Sequence, residues 1–192
     1  MKTLEALFWI SLSIVFYTYI GYGILLYILV KIKECFHKPA SLPMPADDVL
    51  PPLTLFITAY NEEDAVDEKM CNCLELDYPA DKLRILWVTD GSNDHTNRHL
   101  SRWPQATVLH QPERQGKTAA LNRGMQFVET PFVVFTDANT CLNREALREM
   151  VHAFADPKVG CVAGEKRITA QSKDNAASGG EGLYWKYEST LK

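Results

Sequence analysis

The sequence predicts an α/β fold with a mostly parallel sheet, preceded by one transmembrane helix. Three observations carry that reading: an uncharged run of 24 residues near the N-terminus, an alternation of short β-rich and longer helical segments through the rest of the chain, and polar or acidic residues where three of the strand segments end. The composition agrees. The 192 residues hold 20 Lys+Arg against 24 Asp+Glu, with 46% hydrophobic and 23% charged residues. That balance excludes collagen-like repeats, a disordered acidic tail and a highly basic nucleic-acid binder.

The uncharged run is Leu7–Val30. At about 1.5 Å rise per residue it crosses a hydrocarbon core of about 30 Å. Residues 1–6 lack the basic n-region of a signal peptide, and no small-residue cleavage site follows a shorter apolar stretch, so the helix is read as retained. The alternative, a buried core helix, seldom runs this long without a charge. Lys31, Lys33 and Lys38 follow the run, whereas only Lys2 and the amino terminus precede it. The positive-inside rule then places residues 1–6 outside the plasma (inner) membrane and everything after residue 30 in the cytoplasm. Five cysteines (Cys35, Cys71, Cys73, Cys141 and Cys161), odd in number and without a C-x-x-C, agree with a reducing compartment.

Residues 31–51 read as a basic, then proline-rich linker; Pro39, Pro43, Pro45 and Pro51 within it and Pro52 just after it make up half of all the prolines. Such a stretch suits a stiff, extended tether. From residue 52 onward, strands are expected at Leu53–Thr58, Leu83–Thr89, Thr107–His110, Phe132–Thr136 and Val159–Ala163. Helices are expected at Glu62–Leu76, Asp94–Trp103, Lys117–Val128 and Asn143–Phe154. This alternation is the pattern of βαβ units, and an unbroken apolar strand such as Phe132-Val133-Val134-Phe135 suits burial on both faces. Ala176–Gly180 reads as a loop, and the terminal EGLYWKYESTLK has helical spacing, open between core packing and an interfacial helix.

Ligands of open parallel sheets bind beyond the carboxyl ends of the strands, which directs attention to three segments. They are Thr58-Ala59-Tyr60-Asn61-Glu62-Glu63, Thr89-Asp90-Gly91-Ser92-Asn93-Asp94 and Thr136-Asp137-Ala138-Asn139-Thr140. Taken singly, each reads as caps and turns; their concentration on one rim points to a site. Asp137 and Asn139, two apart, offer oxygen ligands on one face of an extended segment, suiting Mg²⁺ or Mn²⁺ bridging a diphosphate. Such a cation offsets the net charge of -6 carried by residues 39–192. Gln115-Gly116-Lys117-Thr118 opens a helix, where the dipole and Lys117 favour an anion. Gln111 stands where a Walker A loop needs glycine, which excludes a P-loop. His95 and His99, four apart, have the spacing of zinc ligands without a third partner, so an exposed helical face is expected.

The set T-A-Y-N-E-E, V-T-D-G-S-N-D, Q-G-K-T-A-A-L-N-R-G, F-T-D-A-N-T and E-G-L-Y-W-K-Y-E resembles the inverting family-2 glycosyltransferases. More narrowly, it is similar to the membrane-anchored group that includes cellulose, hyaluronan and poly-N-acetylglucosamine synthases. The resemblance covers residues 52–192. It implies a Rossmann-like GT-A domain that transfers sugar from a nucleotide-sugar donor, usually a UDP-sugar, to a growing glycan or lipid-linked acceptor. The implied donor site is Thr58, Tyr60, Glu62, Asp90, Lys117 and Asp137, with Tyr60 and Glu62 lining the uridine pocket and Asp90 hydrogen-bonding uracil. The implied metal ligands are Asp137 and Asn139, the latter standing where many members have a second aspartate. The family's acceptor-side acidic motif and its Q-x-x-R-W motif do not occur in these 192 residues. The general base is therefore expected beyond residue 192, and the chain is read as a donor-binding half, with a C-terminal half or another subunit as partner. Two rival readings stay open: a non-catalytic donor-binding module of a split transferase, and a nucleotidyltransferase.

Overall fold

In the computed structural model, the described residues are 2–36 and 46–165. The proline-rich core of the linker, the Ala176–Gly180 loop and the terminal EGLYWKYESTLK lie outside them. The chain divides into two compact units, one built on the N-terminal helix and the other spanning Leu42–Gly164, each described by itself.

The N-terminal helix runs as α1 (Lys2–Phe16) and α2 (Tyr22–Phe36), joined without a break by one wide turn of π-helix at Tyr17–Gly21. Inside that turn, Thr18 Oγ1 donates to the carbonyl of Ile14 at 2.8 Å, so the hydroxyl is satisfied without water. Among the described residues this is the one helix long and apolar enough to cross a membrane. Nearly all of its large apolar side chains, from Leu4 to Phe36, are exposed, unlike those of a helix packed into a soluble core.

The second unit is a four-stranded, all-parallel sheet in the order β3-β2-β1-β4. Its strands are β1 (Leu53–Ala59), β2 (Leu83–Asp90), β3 (Ala106–Gln111) and β4 (Phe132–Asp137). Between and after them come α3 (Glu63–Glu75), α4 (Thr96–Leu100), α5 (Lys117–Met125) and α6 (Ala146–Ala153). The first strand in the sequence is central, and the period-2 alternation of its side chains divides the core in two. Leu53, Leu55, Ile57 and Ala59 join Ile85 and Trp87 of β2 in one cluster with Val66, Met70 and Cys73 of α3 and Leu147 and Val151 of α6. Phe56 joins Leu86, Val88 and Ala120 in the other, beneath α5. Trp87 is wholly buried, and its indole N–H finds the Met70 sulfur at 3.2 Å.

α5 sits very close to the sheet because Gly124 faces it. A methyl group there would overlap the Phe56 ring and come within 2.6 Å of Val88 Cγ2. At the entry to the domain, Lys82 Nζ donates to the carbonyls of Asp47, Asp48 and Leu50, and Arg148 pairs with Asp47 and Asp77.

The expected fifth strand, Val159–Ala163, does not form; these residues are irregular, and Cys161 and Ala163 are exposed. A strand exists where a ladder takes up its backbone groups, and among the described residues none pairs with this segment. The helix expected at Asp94–Trp103 is shorter, because Asp94 is drawn into side-chain contacts at the site and Pro104 follows.

Candidate functional site

The carboxyl ends of β1, β2 and β4 open on a cleft of about 290 Å³. The register does the gathering, since Thr58 of β1 stands opposite Val88 of β2 on one side and Asp137 of β4 on the other. Thr58, Tyr60, Glu62, Asp90, Lys117, Asp137 and Asn139 all line the cleft. Asp137 and Asn139 come together for a different reason than extended spacing. The strand ends at Asp137, and residues 138–139 form a turn closed by Thr140 N–H to the Asp137 carbonyl at 3.3 Å.

The chain leaves β1 through Asn61 in the left-handed region, φ 53°, a conformation that asparagine tolerates better than most residues. There Asn61 is zipped to the turn after β2. Its Oδ1 accepts from Asn93 N–H at 3.0 Å, its Nδ2 donates to Asn93 Oδ1 at 2.8 Å, and its own N–H donates to Ser92 Oγ at 3.2 Å. Glu62 N–H donates to Thr96 Oγ1 and Glu63 N–H to Asp94 Oδ2. Both histidines of the i, i+4 pair belong to this seam, for His95 Nδ1 meets Glu63 at 2.9 Å and His99 Nδ1 meets Asp67 at 3.1 Å. They tie α4 to α3.

Asp90 is 4% exposed. Its Oδ2 accepts the N–H groups of Gln115 at 2.9 Å and Gly116 at 2.6 Å, and its Oδ1 faces Arg123 at 3.4 Å. Arg123 also donates to the Thr89 carbonyl at 3.0 Å. The amides just before α5 thus already hold a carboxylate of the chain itself, which bends the loop into the cleft. Gly91 and Gly116 make this possible with φ of 70° and 93°. At Gly91, moreover, a Cβ would lie 2.6 Å from the Arg114 backbone nitrogen. The loop lays the Arg114 guanidinium over the Tyr60 ring, 3.7 Å from its centroid, within the range of a cation–π contact.

The other wall is more open. Lys117 Nζ meets Asp137 Oδ1 at 2.6 Å, with the two side chains 63% and 56% exposed. Glu62 stands nearby, and burial, then the charges of Asp137 and Asp94, push its carboxyl above the usual range. Among the described residues no three His, Cys, Asp or Glu side chains form a ready metal cage. Asp137 and Asn139 nevertheless fit a hard cation that arrives with a diphosphate, because Mg²⁺-type ions bind through one or two protein oxygens and take the rest from phosphate and water.

Two residues of this architecture, Arg114 over Tyr60 and Arg123 behind Asp90, are not signalled by local sequence, and a third, Lys69 of α3, is signalled only by its place on a helix face. Lys69 reaches from the core to Thr136 and Thr140, on either side of the Asp137–Asn139 turn. A basic residue on the buried face of a helix is the available signal for Lys69, since it falls one position before Met70 and three after Val66.

Comparison with known proteins agrees with this architecture. A poly-beta-1,6-N-acetyl-D-glucosamine synthase from Staphylococcus aureus is 32% identical over 129 residues, 65% of this chain and 31% of the relative. A synthase of the same name from Staphylococcus epidermidis is 28% identical over 124 residues, 62% of this chain and 30% of the relative. The chain spans about a third of the length of the curated relatives it matches. Among solved structures, the mannosyltransferase PcManGT from Pyrobaculum calidifontis, in complex with GDP-Man and Mn²⁺, aligns with a TM-score of 0.66. Its identity is 32%, over 81% of this chain and 46% of the other. S. aureus TarS 1–349 in complex with UDP-GlcNAc shares the fold at a TM-score of 0.51 and 22% identity, over 64% of this chain and 38% of the other. The family model for glycosyl transferase family 2 matches residues 54–188, so the chain belongs to that family.

Proposed function

We propose that this chain binds a nucleotide-sugar donor, a UDP-sugar, in the cleft at the ends of β1, β2 and β4, and serves its transfer with inversion to a growing glycan or lipid-linked acceptor. The observation that carries the reading is the convergence of Tyr60, Asp90, Lys117 and Asp137 in one cleft from four separate segments. The likeness to a polysaccharide synthase and to a mannosyltransferase that holds GDP-Man and Mn²⁺ supports it.

In this reading Tyr60 offers a ring face to the base, and Asp90 holds the 114–117 loop against it. Lys117 turns from Asp137 Oδ1 to the diphosphate, helped by the positive end of α5. Asp137 and Asn139 would hold Mg²⁺ or Mn²⁺ together with the diphosphate oxygens. The cation would neutralise the charge that develops on the leaving nucleoside diphosphate. All these residues act on the donor; the base that takes the acceptor proton is a separate element of the reaction. The apolar helix anchors the domain in the bilayer, and the lysines that follow it favour the cytoplasmic side for the transferase domain.

The test is calorimetric titration of UDP into the full chain in detergent, with and without Mn²⁺. Binding that tightens with Mn²⁺ and is lost in Asp137→Ala is the expected result. Affinity indifferent to Mn²⁺ and to that substitution would overturn the donor site.

A further inference from the structure

Lys69 is a charged side chain 1% exposed in the core. Its neighbours on the buried face of α3, Val66, Met70 and Cys73, pack against the sheet as apolar groups should. Burying an ammonium is costly unless its protons find acceptors. Lys69 Nζ donates to Thr136 Oγ1 at 2.9 Å and to the Thr140 carbonyl, and both acceptors are neutral. A methionine would fill the same volume without the desolvation cost, so packing alone does not account for a lysine here. Burial lowers its proton affinity, while the nearby Cys73 and Cys141 thiols and Asp137 act in the opposite sense.

The geometry of the two acceptors is informative. Thr136 is in β4, opposite Ile57, and Thr140 is the first residue beyond the turn that carries Asp137 and Asn139. Within the turn, the backbone closure is the long 3.3 Å contact from Thr140 N–H to the Asp137 carbonyl. We infer that Lys69 is a positioning residue, its ammonium stapling both ends of the 136–140 turn from beneath so that Asp137 and Asn139 present their oxygens together to the cation and diphosphate of the donor. This rests on the donor-site reading above. It assigns Lys69 no contact with donor or metal.

Electrostatics and positioning predict opposite signs, which makes the inference decidable. If Lys69 were only a buried positive charge near a cation site, removing it would tighten Mn²⁺ binding; if it staples the turn, removal loosens it. The experiment measures UDP affinity of the full chain in detergent by calorimetry at zero and saturating Mn²⁺, for wild type, Lys69→Met and Thr136→Val. The readout is the Mn²⁺-dependent gain. In Lys69→Met the gain should fall about tenfold, the scale of losing an outer-shell support, with Mn²⁺-free affinity within about twofold of wild type. Thr136→Val, nearly isosteric and suited to a strand, removes the hydroxyl that accepts from Lys69 and donates to the Asp137 carbonyl at 3.4 Å, and should lose about threefold. If Lys69→Met does not fold, a gain retained in Thr136→Val still overturns the inference. A gain that is retained or increased in the variants, while wild type shows it, overturns this inference and leaves the donor site standing. A wild type without any Mn²⁺-dependent gain overturns this inference together with the cation site it rests on, and UDP affinity unchanged by Asp137→Ala as well overturns the donor site.

Discussion

The two walls of the cleft are made in different ways. On the wall formed after β1 and β2, the Asn61–Asn93 seam and the buried Asp90 carboxylate with its two amides and Arg123 hold one another before any ligand arrives. On the wall formed by α5 and β4, Lys117 and Asp137 are more than half exposed and hold only each other among the hydrogen bonds and ion pairs their side chains form. The first wall is preorganised, so its hydrogen bonds contribute rigidity and shape. The second is open to exchange, since an exposed ion pair is worth about 0–1 kcal/mol.

Asp90→Ala attacks the preorganised wall where it is most buried. It leaves Arg123 without its carboxylate and two amides without an acceptor, and should cost about 3 kcal/mol in denaturant unfolding together with UDP binding. A loss confined to binding would show that the wall does not depend on it. Gly124→Ala acts from below the cleft by pushing α5 off Phe56 and Val88. The expected cost is about 2 kcal/mol, visible as a lower melting temperature; an unchanged melting temperature would mean that the helix can slide. Lys117→Ala tests the open wall. Stability should stay within about 0.5 kcal/mol while Mn²⁺-supported UDP binding weakens about tenfold, and equal losses in both would erase the distinction between the walls.

The smallest effect belongs to Glu62, whose carboxyl burial and the Asp137 and Asp94 charges raise above 4.5. A folded state that binds the proton more tightly than the unfolded chain is favoured at low pH. The contribution is complete below about 4.5 and is lost as pH rises through the raised folded value. Glu62→Gln removes this decline, so its melting temperature relative to wild type should climb as pH goes from 4.5 towards neutral. A difference that does not vary with pH would contradict the raised carboxyl.

The sheet was legible because β-rich and helical segments alternate cleanly, and the cleft because polar residues stand where Thr58, Asp90 and Asp137 leave their strands. What escaped was set by contacts between distant segments. Lys69 meets residues 67 and 71 positions away, and nothing around it in the chain announces those partners. Asp90 looked free for a ligand, yet its oxygens face Gln115, Gly116 and Arg123, because an acidic group beneath amides that begin a helix finds its donors inside the protein. Val159–Ala163 has strand composition, but composition cannot supply a neighbouring ladder.

The placement of β1 at the centre of the sheet has a kinetic consequence. Leu53 pairs with Leu83 on one side, reached through a single helix, and with Phe132 on the other, reached only after two more strands and helices have been laid down. Closing the longer loop carries the larger entropy loss and comes later in folding. Pairing of β1 with β2 is therefore expected before its pairing with β4. In that interval β1 presents one open, apolar edge, the kind of template on which unfinished chains associate.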